Sequence, residues 1–342
     1  MTLFITFIGF VAATLCGVVL ANRFRRIDYN TIECRRSDQP LPQAGADLLL
    51  LTWNIGYGAL GKEANLFTDG GTSFRALSKR QIEMASDGIA AELSRTPFDM
   101  ICLQETAKAG ILTRNVDVQN VIDKALPNRD RYFWADLKTI LLPRLLGNAN
   151  GMASYSAKAS SQCRVLDLPD ATTLLVGLVK KPYAGLMNRL PIFGTDKAWV
   201  IINIHLPFFN VTPEQRADQL ARLLDVAQEE YDQGNFVIIA GDWNSRICPT
   251  SFEHATDPKV LTWYSDLPKD SIPSGWHLIT DPNTPTVRSV DAAFRKGQSY
   301  TAVFDGFLVS SNVKVSSVKT RNLDFTFSDH QAVEAVFSTG SS

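Results

Sequence analysis

At 342 residues, 45% of them apolar and 20% charged, the chain has the composition of a globular protein that can bury a core without disulfide staples. A formal net charge of −1 leaves no basic surplus, and sequence-independent nucleic-acid affinity depends on clustered Lys and Arg displacing counterions. The five cysteines, Cys16, Cys34, Cys102, Cys163 and Cys248, form no CxxC pair and keep no regular spacing, which excludes a disulfide framework and a cysteine zinc site.

The first predicted element is the uncharged run Leu3–Ala21, LFITFIGFVAATLCGVVLA. Nineteen residues at the helical rise span about 28 Å, close to the hydrocarbon thickness of a bilayer. A cleaved signal sequence would want a basic start and a shorter apolar core, so residues 1–22 are expected to be a retained single-pass membrane anchor. Arg23, Arg25, Arg26, Arg35 and Arg36 follow it, against Asp28 and Glu33. That asymmetry places the bulk of the chain on the cytoplasmic side by the positive-inside tendency. Residues 23–46 read as a basic flank and linker, ending in the aperiodic stretch SDQPLPQAGA, and residues 47–342 as one folded domain.

Within that domain, short apolar runs mark buried strands at Leu48–Trp53, Met100–Gln104, Trp199–His205, Phe236–Gly241, Val303–Ser310 and Val333–Phe337. Helical patterns lie between them. Ser78 is placed to cap a helix whose inner face carries Ile82, Ala85, Ile89 and Leu93. A second begins at Pro213, runs towards Glu230 with Leu220, Leu223, Leu224 and Val226 on its apolar side, and stops near Gly234. Interleaved strands and helices give an α/β class, and the long connections suggest two packed sheets with helices outside.

Chemistry is concentrated at the strand ends, which finish in Asn54, Glu105, His205, and the pair Asp242 and Asn244. Asp305 sits inside an apolar run, and Asp329 and His330 precede the last strand. Singly, each has an ordinary reading: Glu105 as a surface or capping acid, GDWN as a tight turn, SDH as a helix cap. Burying a carboxylate costs several kcal/mol unless it is compensated. Asn54, Glu105, Asp242, Asn244, Asp305 and Asp329 at strand ends make sense together if they converge on a cation, and oxygen ligands point to Mg²⁺ or Mn²⁺.

The series Thr52-Trp53-Asn54-Ile55, Leu103-Gln104-Glu105, Asn203-Ile204-His205-Leu206, Gly241-Asp242-Trp243-Asn244, Phe304-Asp305 and Ser328-Asp329-His330 resembles, in order and spacing, the endonuclease/exonuclease/phosphatase superfamily. Its members include DNase I-like nucleases, inositol-polyphosphate phosphatases and neutral sphingomyelinases. The resemblance implies a four-layer α/β/β/α sandwich of the DNase I-like type. It implies that Glu105, helped by Asn54 and Asp329, holds a divalent ion against a phosphate oxygen. His330, oriented by Asp305, would be the principal acid/base imidazole. Asp242 would orient or deprotonate the attacking water, Asn244 would donate to a phosphoryl oxygen, and His205 would add a second cationic hydrogen bond.

The substrate is less legible. Arg75, Asn148, Asn150 and Arg288 are candidate phosphate contacts, with Lys158 a further cation; turn formation and plain surface loops account for the same residues equally well. The expected activity is hydrolysis of a lipid-type or other small phosphoester by a membrane-anchored phosphodiesterase or phosphatase. A DNase I-like nuclease and a catalytically silent tethered interaction domain are the alternatives. Oligomeric state is not encoded in any of these patterns.

Overall fold

The computed structural model describes residues 13–340 except 15, 25, 68–69, 74–76, 143–146, 170–171, 175–178, 208–211 and 262–263. In chain order the strands of its two large sheets are β1 (Glu33–Arg35), β2 (Leu48–Asn54), β3 (Met100–Ala107), β4 (Asp130–Lys138), β5 (Ala149–Ser156), β6 (Gln162–Asp167), β7 (Ala184–Pro191), β8 (Ala198–His205), β9 (Phe236–Asp242), β10 (His277–Ile279), β11 (Asp305–Val309), β12 (Val313–Thr320) and β13 (Val333–Thr339). Helices α1 (Lys79–Ser94), α2 (Val118–Ala125) and α3 (Pro213–Asp232) lie between them. One sheet runs β1-β4-β5-β3-β2-β13-β12 and the other β10-β11-β9-β8-β7-β6. Both are mixed. Each holds one parallel pair near its centre, β2 with β3 and β8 with β9, among antiparallel neighbours.

The apolar runs lack alternation because both faces of the central strands are buried. Along β2, Leu48 and Leu50 point between the sheets while Leu51 and Trp53 point under the helices. Period-2 side-chain geometry therefore sorts one run into two cores. Between the sheets, Leu50, Met100 and Cys102 meet Trp199, Ile201, Ile238 and Phe307. Outside the first sheet, Ile82, Ile89 and Leu93 of α1 and Ile122 of α2 cover Leu51, Ile101 and Leu103. Outside the second, Leu220, Leu223 and Val226 of α3 cover Val200, Ile202 and Ile239. The layers are α/β/β/α.

Local chemistry sets the helix ends where the sequence puts them. Ser78 and Gln81 form a reciprocal capping box on α1. Thr212 and Gln215 do the same for α3, with Pro213 at its first position, and Gly234 ends the segment at φ +80°.

One polar link crosses the inter-sheet core. The Asn203 amide on β8 donates to the carbonyls of Leu103 and Ala153 at 3.1 Å each, and accepts from Gln104 Nε2 at 2.7 Å. Asn203 is fully buried, so its removal takes this donor from two buried carbonyls and the shortest acceptor from Gln104 Nε2, which keeps only Thr52 Oγ1 at 3.1 Å and the Cys102 carbonyl at 3.3 Å. Asn203→Ala is expected to cost about 2–4 kcal/mol, read as a fall in the urea midpoint; an unchanged midpoint would show that the link contributes nothing.

Several elements differ from expectation. Strands β4 to β7 and β12, and helix α2, carry no strong periodic signal in the sequence. The flank and linker at 23–46 is partly domain. Glu33–Arg35 pairs with Arg131–Phe133 of β4, and Ser37 donates backbone and hydroxyl hydrogen bonds to Asp130. The expected anchor at 1–22 falls largely outside the described residues, as does Arg75. Among the described residues no helix is long and apolar enough to cross a membrane.

Candidate active site

Register brings the strand ends together. In the parallel pair β8/β9, His205 stands opposite Asp242, and antiparallel β11 places Asp305 opposite Asp242 on the other side. In the first sheet, Asn54 ends β2 beside Gln104 of β3, and β13 enters with Val333 opposite Thr52, which delivers Asp329 and His330 to the same end. The facing carboxyl ends of two parallel pairs thus enclose one cavity of about 240 Å³. Asn54, Glu105, His205, Asp242, Asn244, Asp329 and His330 all line it. Asp305 lies directly behind His330.

Two backbone distortions aim side chains into this space. The β3–β5 register shifts between Leu103 and Thr106, and Glu105 sits in that bulge at φ +54°. Asn244 sits at φ +47°. Left-handed conformations at non-glycine residues cost of order 1–3 kcal/mol, and here they fall on three residues of the cavity wall, Tyr57 at φ +56° being the third. Gly56, at φ +51°, has a different reason: a Cβ there would come within 2.9 Å of Asp329 Oδ1.

The hydrogen bonds define a graded centre. His330 Nδ1 lies 2.8 Å from Asp305 Oδ2, and its Nε2 faces Asp242 Oδ2 at 3.7 Å. Asp242 is held by Asn54 Nδ2 at 3.0 Å and by the Asn244 backbone N–H at 2.8 Å. Asn54 Oδ1 accepts from the Gly56 amide at 3.0 Å, and Ser328 Oγ donates to the Asn54 carbonyl at 2.8 Å. His205 Nε2 stands 3.7 Å from Glu105 and 3.8 Å from Asp242. Burial opposes charge on His330, yet the Asp305 and Asp242 carboxylates hold its imidazole well above the usual histidine range. Burial pushes Glu105 up to about 8, with Lys181 opposing, and pushes Asp242 up to about 6, with His330 opposing.

A hard divalent cation fits this donor set. Asp242, Asp305 and His330 form the tightest group, within 4.8 Å of one another. Asp305 Oδ2 is bonded to His330 Nδ1 and Asp242 to Asn54 and Asn244, as a proton-holding pair requires, while buried Asp305 Oδ1 has no hydrogen-bond partner. Glu105 and Asp329, with the second lone pair of Asn54 Oδ1, offer oxygens on the open side of the cavity. Burial disfavours the Glu105 charge most strongly, and a cation beside it would offset that cost.

Expectations for His205, Arg288, Asn148, Asn150 and Lys158 need correction, and that for Asn244 is narrowed. His205 is kept well below the usual histidine range, first by burial and then by the charges of Lys181 and His330, so it is neutral and not a second cation. Asn244 Nδ2 donates to the Leu206 carbonyl at 2.6 Å, so one of its two hydrogens is committed to the loop. Arg288 lines the cavity, but its buried guanidinium donates to the carbonyls of Ser289 at 2.9 Å and Gly61 at 2.8 Å, clamping loops. Asn148 Oδ1 accepts from the Leu112 amide at 3.0 Å, Asn150 is buried in β5, and Lys158 pairs with Asp99 at 3.1 Å; none of the three lines the cavity.

Sequence reasoning missed Lys181, Tyr57 and Tyr183. All three line the cavity. Lys181 is buried with Asp136 at 3.8 Å, and that carboxylate holds it above the ordinary lysine value in spite of burial. A charged residue in a Lys-Lys pair reads as surface; only the fold turns it inward. Leu60, Leu66, Tyr264, Val287, Val290 and Phe304 complete an apolar wall.

The sequence matches the Endonuclease/Exonuclease/phosphatase family over residues 51–330, and that span takes in every strand-end residue of the cavity. The chain belongs to this family. Its members' fold is that of a metal-dependent phosphoester hydrolase or nuclease. No curated protein matches the chain in sequence. Among solved structures, an endonuclease/exonuclease/phosphatase from Beutenbergia cavernae is similar, with a TM-score of 0.56 at 18% identity over 86% of this chain and 72% of that one. Truncated TDP2 from Caenorhabditis elegans gives 0.53 at 17% over 86% and 98%, and a family protein from Bacteroides vulgatus gives 0.52 at 14% over 86% and 99%. At such identities the likeness is one of fold.

Proposed function

We propose that the chain hydrolyses a phosphodiester or phosphomonoester by in-line attack of water, with Mg²⁺ or Mn²⁺ held by Glu105, Asp329 and Asn54. The observation that carries this reading is the His330–Asp305 pair set against Asp242, with Glu105 across the same small cavity. Bound there, the cation would polarise a phosphoryl oxygen and neutralise developing charge. Asp242, fixed by two hydrogen bonds to one carboxylate, orients the attacking water and accepts its proton. His330, positive through Asp305, donates from Nε2 to a phosphoryl oxygen or to the leaving oxygen. Asn244 keeps one amide hydrogen for the same phosphate, and neutral His205 donates or accepts one further hydrogen bond beside it.

The uncharged run Leu3–Ala21 supports an anchor and, with it, a substrate presented at a membrane, such as a lipid phosphoester. A net charge of −1 speaks for lipid or a small phosphoester over duplex DNA.

Asp242→Asn, assayed on bis-p-nitrophenyl phosphate with Mg²⁺, is expected to lose about 10²–10⁴-fold in turnover while its melting curve stays cooperative. EDTA should abolish wild-type turnover, and Mg²⁺ or Mn²⁺ should restore it. Activity indifferent to EDTA would sink the metal assignment, and activity unchanged in Asp242→Asn would sink the water-orienting role. Sphingomyelin, phosphoinositides and duplex DNA run side by side under the same conditions separate the substrate classes.

A further inference from the structure

Among the described residues eight large apolar side chains are exposed, and five of them gather around the connection from β4 to β5. Leu141, 70% exposed, and Leu142 lie on that connection. Ile111 lies against its far end, where the Ile111 amide donates to the Gly147 carbonyl at 3.0 Å. Leu20 and Phe24, the latter 72% exposed, flank Asn22. Asn22 itself is buried, because its side chain clasps Ile140 at both polar atoms. Nδ2 donates to the Ile140 carbonyl at 3.0 Å, and Oδ1 accepts from the Ile140 amide at 2.8 Å. This two-point clasp joins the end of the helical residues 16–23 to a connection 118 positions further along the chain.

Scattered exposed leucines need no explanation, whereas apolar residues gathered in one place mark a partner or a lipid surface. Here the chain leading into the clasp identifies the partner. Residues 16–21 are the last part of the uncharged run Leu3–Ala21, the most apolar stretch of the sequence. Exposed Arg23 and Arg26 follow the clasp, and Lys138 closes β4 just before the connection, so cations rim the apolar residues as anionic headgroups require. The connection also lies at the catalytic end of the sandwich, since Asn150, the second residue of β5, stands opposite Ala107, two residues beyond Glu105.

We propose that Phe24, Ile111, Leu141 and Leu142, beside the end of the anchor run at Leu20, form a second bilayer contact, which seats the cavity end of the sandwich against lipid. This rests on the anchor reading given above. An anchor alone leaves a domain free to tumble on its tether. A clasped anchor with an apolar connection beside it fixes the orientation, so that the cavity and the headgroups of the same membrane stay close together.

The test uses the full chain, with exposed Cys16 and Cys34 changed to serine, in vesicles of phosphatidylcholine and phosphatidylserine. A polarity-sensitive fluorophore is carried on Leu142→Cys or, as control, on Phe193→Cys. Phe193 is also exposed, but it lies in the β7–β8 turn at the opposite end of the sandwich. The probe at 142 is expected to emit to the blue and to be quenched by nitroxide-labelled acyl chains, while the probe at 193 reports water. Adding Leu141→Glu should return the 142 signal towards that of 193. Leu141→Glu/Leu142→Glu should leave hydrolysis of bis-p-nitrophenyl phosphate in detergent unchanged, because neither residue touches the cavity. A chain that fails to float with the vesicles overturns the anchor and this contact together. A chain that floats, yet reports water at 142, overturns the second contact alone.

Discussion

Replacing His330 with alanine is expected to lower turnover of an activated phosphodiester by about 10²–10⁴-fold, the usual effect of deleting one positioned proton-transfer group. The ring is buried, bonded through Nδ1 to Asp305, and presents only Nε2 to the cavity. No other imidazole can substitute, because His205 is held neutral on the far side of Asp242. Removing the ring leaves Asp305 buried beside a hole, at a cost of about 3–5 kcal/mol for a broken buried pair, so the melting temperature must be followed in parallel. Asp305→Asn separates chemistry from stability. Its amide keeps the shape of the pocket but withdraws the charge that raises the His330 pKa. Activity that depends on protonated His330 should then be lost at lower pH than in the wild type, which moves the alkaline limb of the kcat profile down. A His330→Ala protein that melts normally and keeps more than about a tenth of its turnover would remove this imidazole from the mechanism.

How far the site could be read in advance depended on where each residue got its meaning. Asn54, Glu105, Asp242 and His330 were legible because polar residues at the ends of apolar runs are costly to bury, and their order along the chain carries information that spacing alone does not. Strands β5 and β7 were not legible. ANGMASYS and AGLMNRLP are mixed runs whose strand character comes from pairing on both sides within a sheet. Arg288 shows the opposite failure: a cation next to the right loop looks like a phosphate ligand until the carbonyls of Ser289 and Gly61 are seen to occupy it. Lys181 could not have been found by pattern at all. Its position depends on the short strand Val179–Lys181 that leads into β7 and on Asp136, 45 residues earlier in the chain, and neither relation leaves a local mark. Sequence thus encodes well the groups whose burial is expensive, and poorly the ones that only a neighbour makes expensive.

Metal and pH should act on stability through the same carboxylates. In the metal-free protein Glu105 is raised from 4.5 to about 8 and Asp242 from 3.8 to about 6, in both cases chiefly by burial. A folded-state pKa above the unfolded value stabilises the fold fully below the unfolded pKa, and that stabilisation is lost as pH rises through the folded one. Asp242 is therefore spent by about pH 6, and Glu105 titrates near 8. His205 works the other way, losing stability only as pH falls below its unfolded range, so it stays out of the window above neutrality. The metal-free melting temperature is thus expected to fall as pH rises from about 6.5 to about 8, with His330, also held above its usual range, adding to the fall. Mg²⁺ binds the ionised carboxylates, so at 100 times its Kd it should add about 2.7 kcal/mol, or roughly 5 °C, and should add more at the alkaline end than at the acid end. Glu105→Gln has no charge to lose or to neutralise. It is expected to lessen the pH dependence, leaving the share of His330, and to erase the gain from Mg²⁺, both read by calorimetry without any substrate. If Glu105→Gln were stabilised by Mg²⁺ as much as the wild type, the cation would be held elsewhere, with the tighter cluster of Asp242, Asp305 and His330 the next place to look.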